Sequence, residues 1–192
     1  MLRLAYMDRL NPQEQQRLRA VALRSIEYGY VTKQPLIVSH EATNIPRLMA
    51  QQTSFVTLKI DDRLRGCIGS LQAQMPLIQD VAEHAFAAAF QDPRFAPVTQ
   101  SEIALLDITI SVLSKLTPIH FDSEQALITQ LRPHIDGLLL EEGENRSTFL
   151  PSVWDTLPEA TQFIQNLKQK AGLPAHYWSD TTKVFRYTTE SF

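Results

Sequence analysis

The chain has 192 residues, 44% hydrophobic and 20% charged, the balance of an ordinary globular protein with room for one domain or one domain in two lobes. Eighteen basic against twenty-one acidic residues give a formal charge of −3, which argues against general polyanion binding, so no nucleic-acid partner is expected. A single cysteine excludes an intrachain disulfide and a Cys-rich metal site, and no segment approaches the roughly 20 apolar residues of a bilayer span or the apolar core of a signal peptide, so a cytoplasmic chain without a membrane partner is expected.

Asn11-Pro12-Gln13-Glu14 reads as a helix start: Asn11 caps, Pro12 suits the first helical position, and Glu14 closes a capping box. Leu18, Ala22 and Ile26 then recur on one face, and Gly29 is expected to end the helix. Residues 31–50, with Pro35 and Pro46, have no period and read as a loop with short elements. Residues 54–60 alternate, with Val56, Leu58 and Ile60 on one face and Phe55, Thr57 and Lys59 on the other. Asp61-Asp62-Arg63 follows, then Leu64-Arg65-Gly66-Cys67-Ile68-Gly69, and together these predict a β-hairpin.

The register of that hairpin can be argued. A two-residue loop pairs Leu58 with Arg65 and Val56 with Cys67, mixing the faces. A three-residue loop pairs Thr57 with Cys67, Val56 with Ile68 and Ile60 with Leu64, and keeps one face apolar and one polar. The three-residue loop is therefore predicted. It sets Lys59 opposite Arg65, a like-charge pair that an anion or a carboxylate would relieve.

Pro76 opens a helix to about Phe90, with Leu77, Val81, Ala85 and Ala88 as its buried stripe, and Asp92-Pro93-Arg94 stops it. Residues 105–113 alternate again, Leu106, Ile108, Ile110 and Val112 against Asp107, Thr109 and Ser111. A short helix is expected from Asp122 to Leu131, a turn at Asp136-Gly137, a buried strand at residues 138–140, and a second hairpin returning through residues 146–150. Pro158 starts the last helix, closed by Lys168, Lys170, Gly172 and Pro174, and residues 183–188 make a final strand. The fold class is α+β: a largely antiparallel or mixed sheet with flanking helices, in a larger and a smaller lobe that form a cleft.

The candidate site is the glycine-cysteine run. On an extended strand Arg65 and Cys67 share a face, and a guanidinium beside a thiol favours the reactive thiolate. Cys67 is thus the candidate catalytic residue, against the plain alternative of a small buried residue in a strand. Arg65 and Lys59 would hold a small anionic ligand, and Gly66 and Gly69 would bare the backbone to it. Asp92, Arg94 and Ser111 complete the candidate ligand-binding set, although Asp92 and Arg94 also fit an exposed ion pair at a helix stop. No histidine among His40, His84, His120, His134 and His176 is local to Cys67, and no metal-ligand spacing or cofactor motif is present, so no metal or cofactor is predicted. Arg65→Ala should then leave the fold intact, and Gly66→Val should harm folding more than Cys67→Ser.

The motif Arg63-Leu64-Arg65-Gly66-Cys67-Ile68-Gly69 resembles the signature of the AMMECR domain family, with the A-protein subgroup of the AmmeMemoRadiSam system as the nearest match. The resemblance continues through Phe55-Val56-Thr57-Leu58, residues 88–95, residues 110–114, Asp136-Gly137, Phe149-Leu150-Pro151 with Val153-Trp154, residues 170–173 and Tyr177-Trp178. It implies one domain over residues 8–192, in one lobe or two, with the cleft beside the glycine-cysteine run. It also implies a genomic association with a Memo-type, dioxygenase-like protein and a radical S-adenosylmethionine protein. Those two are the expected partners of the alternative reading, a non-catalytic accessory protein. The family pattern commonly has an acidic residue where this chain has Thr109, and glycine where it has His134.

Overall fold

The computed structural model describes residues 9–39 and 45–192. The chain divides into two compact units, Met1–Leu113 with Glu190–Phe192, and Ser114–Thr189. Among the described residues each unit carries one four-stranded sheet with helices packed on it, an α+β architecture with two sheets.

In the first unit, α1 (Pro12–Thr32) begins as expected: Asn11 Oδ1 accepts from the Glu14 N–H at 3.0 Å, and the Glu14 carboxylate accepts from the Asn11 N–H at 2.7 Å. Gly29 does not end it. The helix runs to Thr32, and the left-handed Lys33 (φ 62°) caps it by donating to the Gly29 carbonyl. A Cβ at Gly29 would lie 2.3 Å from the Phe86 ring, so this glycine serves close approach to the helix that follows the first hairpin. That helix, α2 (Leu77–Phe90), starts at Pro76. Its stripe Leu77, Val81, Ala85 and Ala88 is buried with Leu18, Ala22 and Ile26 of α1.

Both helices cover one face of a sheet ordered β2-β1-β3-β8, formed by β1 (Ser54–Ile60), β2 (Arg63–Gly69), β3 (Asp107–Leu113) and β8 (Thr189–Ser191). The register of β1 on β3 is the one that segregates the faces. Val56 lies opposite Ile110 and Thr57 opposite Thr109, while Val56, Leu58 and Ile110 are fully buried. Next to β8, Ile110 and Phe192 exchange both backbone hydrogen bonds, at 2.9 and 3.1 Å. A short α3 (Gln100–Ile103) precedes β3. The start of β1 is tied to α2 by the buried Asp80 carboxylate, which accepts from the Ser54 N–H and hydroxyl at 2.8 and 2.7 Å and lies 3.0 Å from His84 Nδ1.

The second unit has the sheet order β4-β7-β5-β6, from β4 (Thr117–Ile119), β5 (Gly137–Glu142), β6 (Asn145–Phe149) and β7 (Lys183–Tyr187). The helices α4 (Glu124–Gln130) and α5 (Ala160–Lys170) belong to it as well. Leu138, Leu140, Val184 and Ile119 face a core built around Trp154, whose ring stacks on Phe163 at 3.9 Å. The Trp154 indole donates to the Asp136 carbonyl at 2.7 Å. The fully buried Asp136 carboxylate is held by Arg132 at 2.6 Å and Arg186 at 3.5 Å. Lys168 lies in the last turn of α5 as expected and is buried, with its ammonium donating to Glu124 and to the Tyr177 carbonyl.

Candidate functional site

The first hairpin departs from the predicted register in one informative way. Its loop has two residues, not three: Ile60 pairs with Arg63, and Asp61 and Asp62 both take left-handed φ, 49° and 60°. Left-handed conformation at both central positions is the type I′ pattern, whose twist suits adjoining strands. Farther along, Leu58 pairs with Gly66, Thr57 with Cys67 and Val56 with Ile68, the register of the three-residue loop. A bulge between Leu58 and Lys59 reconciles the two, and Arg65 is the residue left without a partner. Lys59 therefore faces Leu64 on one side and Asp107 on the other, and the like-charge pair with Arg65 never forms.

The bulge sends Arg65 away from the role the sequence suggested. Its Nε and Nη2 donate to the two carboxylate oxygens of Glu102 at 2.8 and 3.1 Å, and Nη1 and Nη2 donate to the carbonyls of Ala96 and Pro97 at 2.9 and 3.3 Å. A forked guanidinium-carboxylate pair of this kind is geometrically specific. Glu102 is held further by the Thr99 N–H and hydroxyl. The Arg65 hydrogen bonds, then those from Thr99, push its carboxyl down to about 2. The same carboxylate raises the Arg65 pKa. Arg65 is a strut between β2 and the segment after α2.

The cation beside Cys67 is Arg94. As the residue of an edge strand whose N–H and C=O point away from β1, Cys67 needs outside partners for both groups. Asp92 Oδ2 accepts from the Cys67 N–H at 2.9 Å, and Arg94 Nη2 donates to the Cys67 carbonyl at 3.2 Å. Arg94 also forks onto Asp92 through Nε and Nη2, at 2.9 and 2.6 Å. These bonds, the Arg94 side chain first and the Cys67 and Arg94 N–H groups behind it, hold the buried Asp92 carboxyl well below the usual carboxylate range. A charge on the Cys67 thiol would in turn raise the Arg94 pKa, though less than Asp92 does. The half-buried thiol lies 3.2 Å from Thr57 Oγ1 across the strand pair.

A family model for AMMECR1 matches residues 19–192. The chain belongs to the AMMECR1 family. A protein of Thermococcus onnurineus is 36% identical over 90% of this chain and 86% of its own, and one of Thermotoga maritima 33% over 89% and 94%. The crystal structure of an uncharacterised Pyrococcus horikoshii protein superposes with a TM-score of 0.83 at 30% identity, covering 91% of this chain and 88% of that one.

The remaining candidate residues of this AMMECR1 chain separate. Gly66 and Gly69 are not bare. A Cβ at Gly66 would lie 2.0 Å from the Ala88 carbonyl oxygen, and one at Gly69 would lie 2.3 Å from the Phe55 ring. The first glycine lets β2 settle on the backbone of α2, and the second is filled by its cross-strand neighbour. Lys59 stays on the Thr57 and Cys67 face, opposite Asp107. Ser111 is engaged by Ser191 of β8, with the two hydroxyls 2.9 Å apart. His40 lies outside the described residues. His134 takes a left-handed φ of 61°, a backbone conformation that glycine adopts without strain, and its Nδ1 lies 3.2 Å from Asp155 Oδ1.

Sequence reasoning missed one feature of the second unit entirely. A groove of about 610 Å³ runs along β4 and the start of β7, walled by Phe121 and Trp178, whose ring centres lie 5.5 Å apart. Trp178 reads in the sequence as an anchor of the C-terminal lobe; it packs half-buried against the second core and also lines this groove. The three-residue β4, with Pro118 at its centre, left no alternation to find.

Proposed function

We propose that this AMMECR1 chain is an accessory binding protein, and that it meets its partner with the face of β1, β2 and β3 that carries Thr57, Lys59, Leu64 and Thr109. The observation that supports this most is the engagement of Arg65. The residue that would have activated Cys67 or held an anion is spent on Glu102 and two carbonyls. On the same face Leu64 is exposed beside Lys59, a mixed apolar and cationic surface suited to a protein contact. The family resemblance names the partners to try first, a Memo-type protein and a radical S-adenosylmethionine protein from the same genome.

The test is co-expression of the chain with each partner and capture at micromolar concentration. Capture that Leu64→Asp or Lys59→Glu abolishes, with unchanged circular dichroism, supports the reading. Failure to capture either partner removes it. A second reading, a small anion held at Cys67, would need the half-exposed Arg94 to turn from Asp92 toward the anion. It predicts heat on titration with inorganic phosphate that Arg94→Ala eliminates, and a flat titration sinks it.

A further inference from the structure

We propose that the Asp92-Arg94 side-chain pair stands in for a missing β-strand, and that it keeps the outer edge of β2 from pairing with a second copy of this chain. A sheet edge presents unpaired N–H and C=O groups to any strand that can reach them, and native proteins cover or distort such edges. Here both means act on one strand. The bulge at Arg65 interrupts the repeat of backbone groups along β2. The outward N–H of Cys67 is taken by a carboxylate and its outward C=O by a guanidinium, the same donor-and-acceptor pattern that a neighbouring strand would offer. The segment carrying both side chains is fastened at its far end by Arg65, which donates to the carbonyls of Ala96 and Pro97. Pro93 and Pro97 have no N–H, so this strap offers fewer backbone donors to a further strand.

The partner follows from the geometry. Cys67 turns both backbone groups outward, so two copies of β2 can pair antiparallel about a two-fold axis through this residue. Each Cys67 would then donate to and accept from the other, with Cα atoms about 5.5 Å apart. That separation lies within the range a disulfide spans. Cys67 is the only cysteine in the chain, so every disulfide that forms joins two copies.

The experiment uses the full chain with Asp92→Ala and Arg94→Ala combined. Circular dichroism checks its fold, light scattering its mass, and diamide oxidation traps the disulfide. The trapping rate is divided by the rate of labelling with a small thiol reagent, which removes any change in the reactivity of the thiol itself. The expected result is concentration-dependent dimerisation and trapping about tenfold faster than wild type, the factor that one charge-assisted hydrogen bond is worth. A folded variant that stays monomeric and traps at the wild-type rate overturns the proposal. So does association without faster trapping, which would place the contact elsewhere. If the double variant does not fold, Asp92→Ala alone decides by the same criteria, because it frees the Cys67 N–H and removes the carboxylate that positions Arg94, whose half-exposed guanidinium returns to water.

Discussion

Among the described residues two hairpins are closed by two-residue loops, and only one of them bulges. In the hairpin of β5 and β6 the pairing is regular from Leu138 with Phe149 to Glu142 with Asn145. Its second rung from the turn sets Glu141 opposite Arg146, and the two form an ion pair at 3.2 Å. In the hairpin of β1 and β2 the register that segregates the faces would set Lys59 opposite Arg65, and there the strand expels Arg65 from the ladder. The difference shows what a bulge can accomplish. It joins a tight turn to a face-segregating register, and it converts a repulsive cross-strand contact into a forked pair with Glu102. The residue that looked most like a ligand-binding cation is the one the bulge turned to structural use.

The largest effect should come from Gly66→Val, which attacks the register itself. Gly66 lies opposite Leu58 on the apolar face, and an added Cβ would sit 2.0 Å from a backbone oxygen of α2 that has no rotamer to relax into. Overpacking alone costs about 1–3 kcal/mol, and a clash with helix backbone places this variant at or beyond the upper end. Cys67→Ser, which alters a half-buried side chain, should stay within about 1 kcal/mol. Urea unfolding of the two variants side by side is the measurement. Equal midpoints would mean that β2 does not rest on α2 as described.

Arg65→Ala comes next, and here the structure reverses the expectation drawn from the strand pattern. Loss of the guanidinium leaves Glu102 three-quarters buried and without its main partner, and frees the segment at Ala96 and Pro97. The cost should be about 1.5–3 kcal/mol, the worth of hydrogen bonds to a charged group. The same pair fixes a pH window. The Glu102 carboxyl is held at about 2 against an ordinary value of 4.5. Its stabilisation is therefore complete above about 4.5 and is lost as pH falls through about 2. Glu102→Gln should flatten the stability profile across that window. A profile unchanged by Glu102→Gln would show that the ion pair carries no stability.

How much of this could be read from the residues depended on whether a pattern or a contact decided the outcome. The buried faces of β1, β3, α1 and α2 followed from period and capping, because Val56, Leu58, Ile110 and the Asn11-Glu14 box state their roles locally. The pairing of Thr57 with Cys67 followed from the need to separate faces. What strict alternation concealed was the bulge, since its cause lies with Glu102, 37 residues beyond Arg65. Cys67 and Arg94 were each conspicuous, but only the edge position of β2 explains why the backbone of one needs the side chain of the other. Gly66 and Gly69 read as open space because a sequence shows missing side chains and not the helix backbone or the phenylalanine ring that fills them.

The smallest effect tests whether charge alone makes a bulge. Arg146→Glu places two carboxylates on the rung that now holds the 3.2 Å ion pair, reproducing in the second hairpin the repulsion that the first one avoids. Both positions are partly exposed, so the cost should be no more than about 1 kcal/mol. The register should nevertheless hold. Ser147 donates to the Leu167 carbonyl at 2.6 Å and Thr148 to the Leu138 carbonyl at 2.8 Å, which locks the next two residues of β6 to neighbours on opposite sides. In the first hairpin the expelled side chain was received by a forked carboxylate. Cross-strand nuclear Overhauser contacts between Leu139 and Thr148, and between Leu140 and Ser147, should therefore survive the substitution. If they vanish and a shifted set replaces them, repulsion across one rung is enough to break a ladder, and the pair of Arg65 with Glu102 is then a consequence of the first bulge and not its cause.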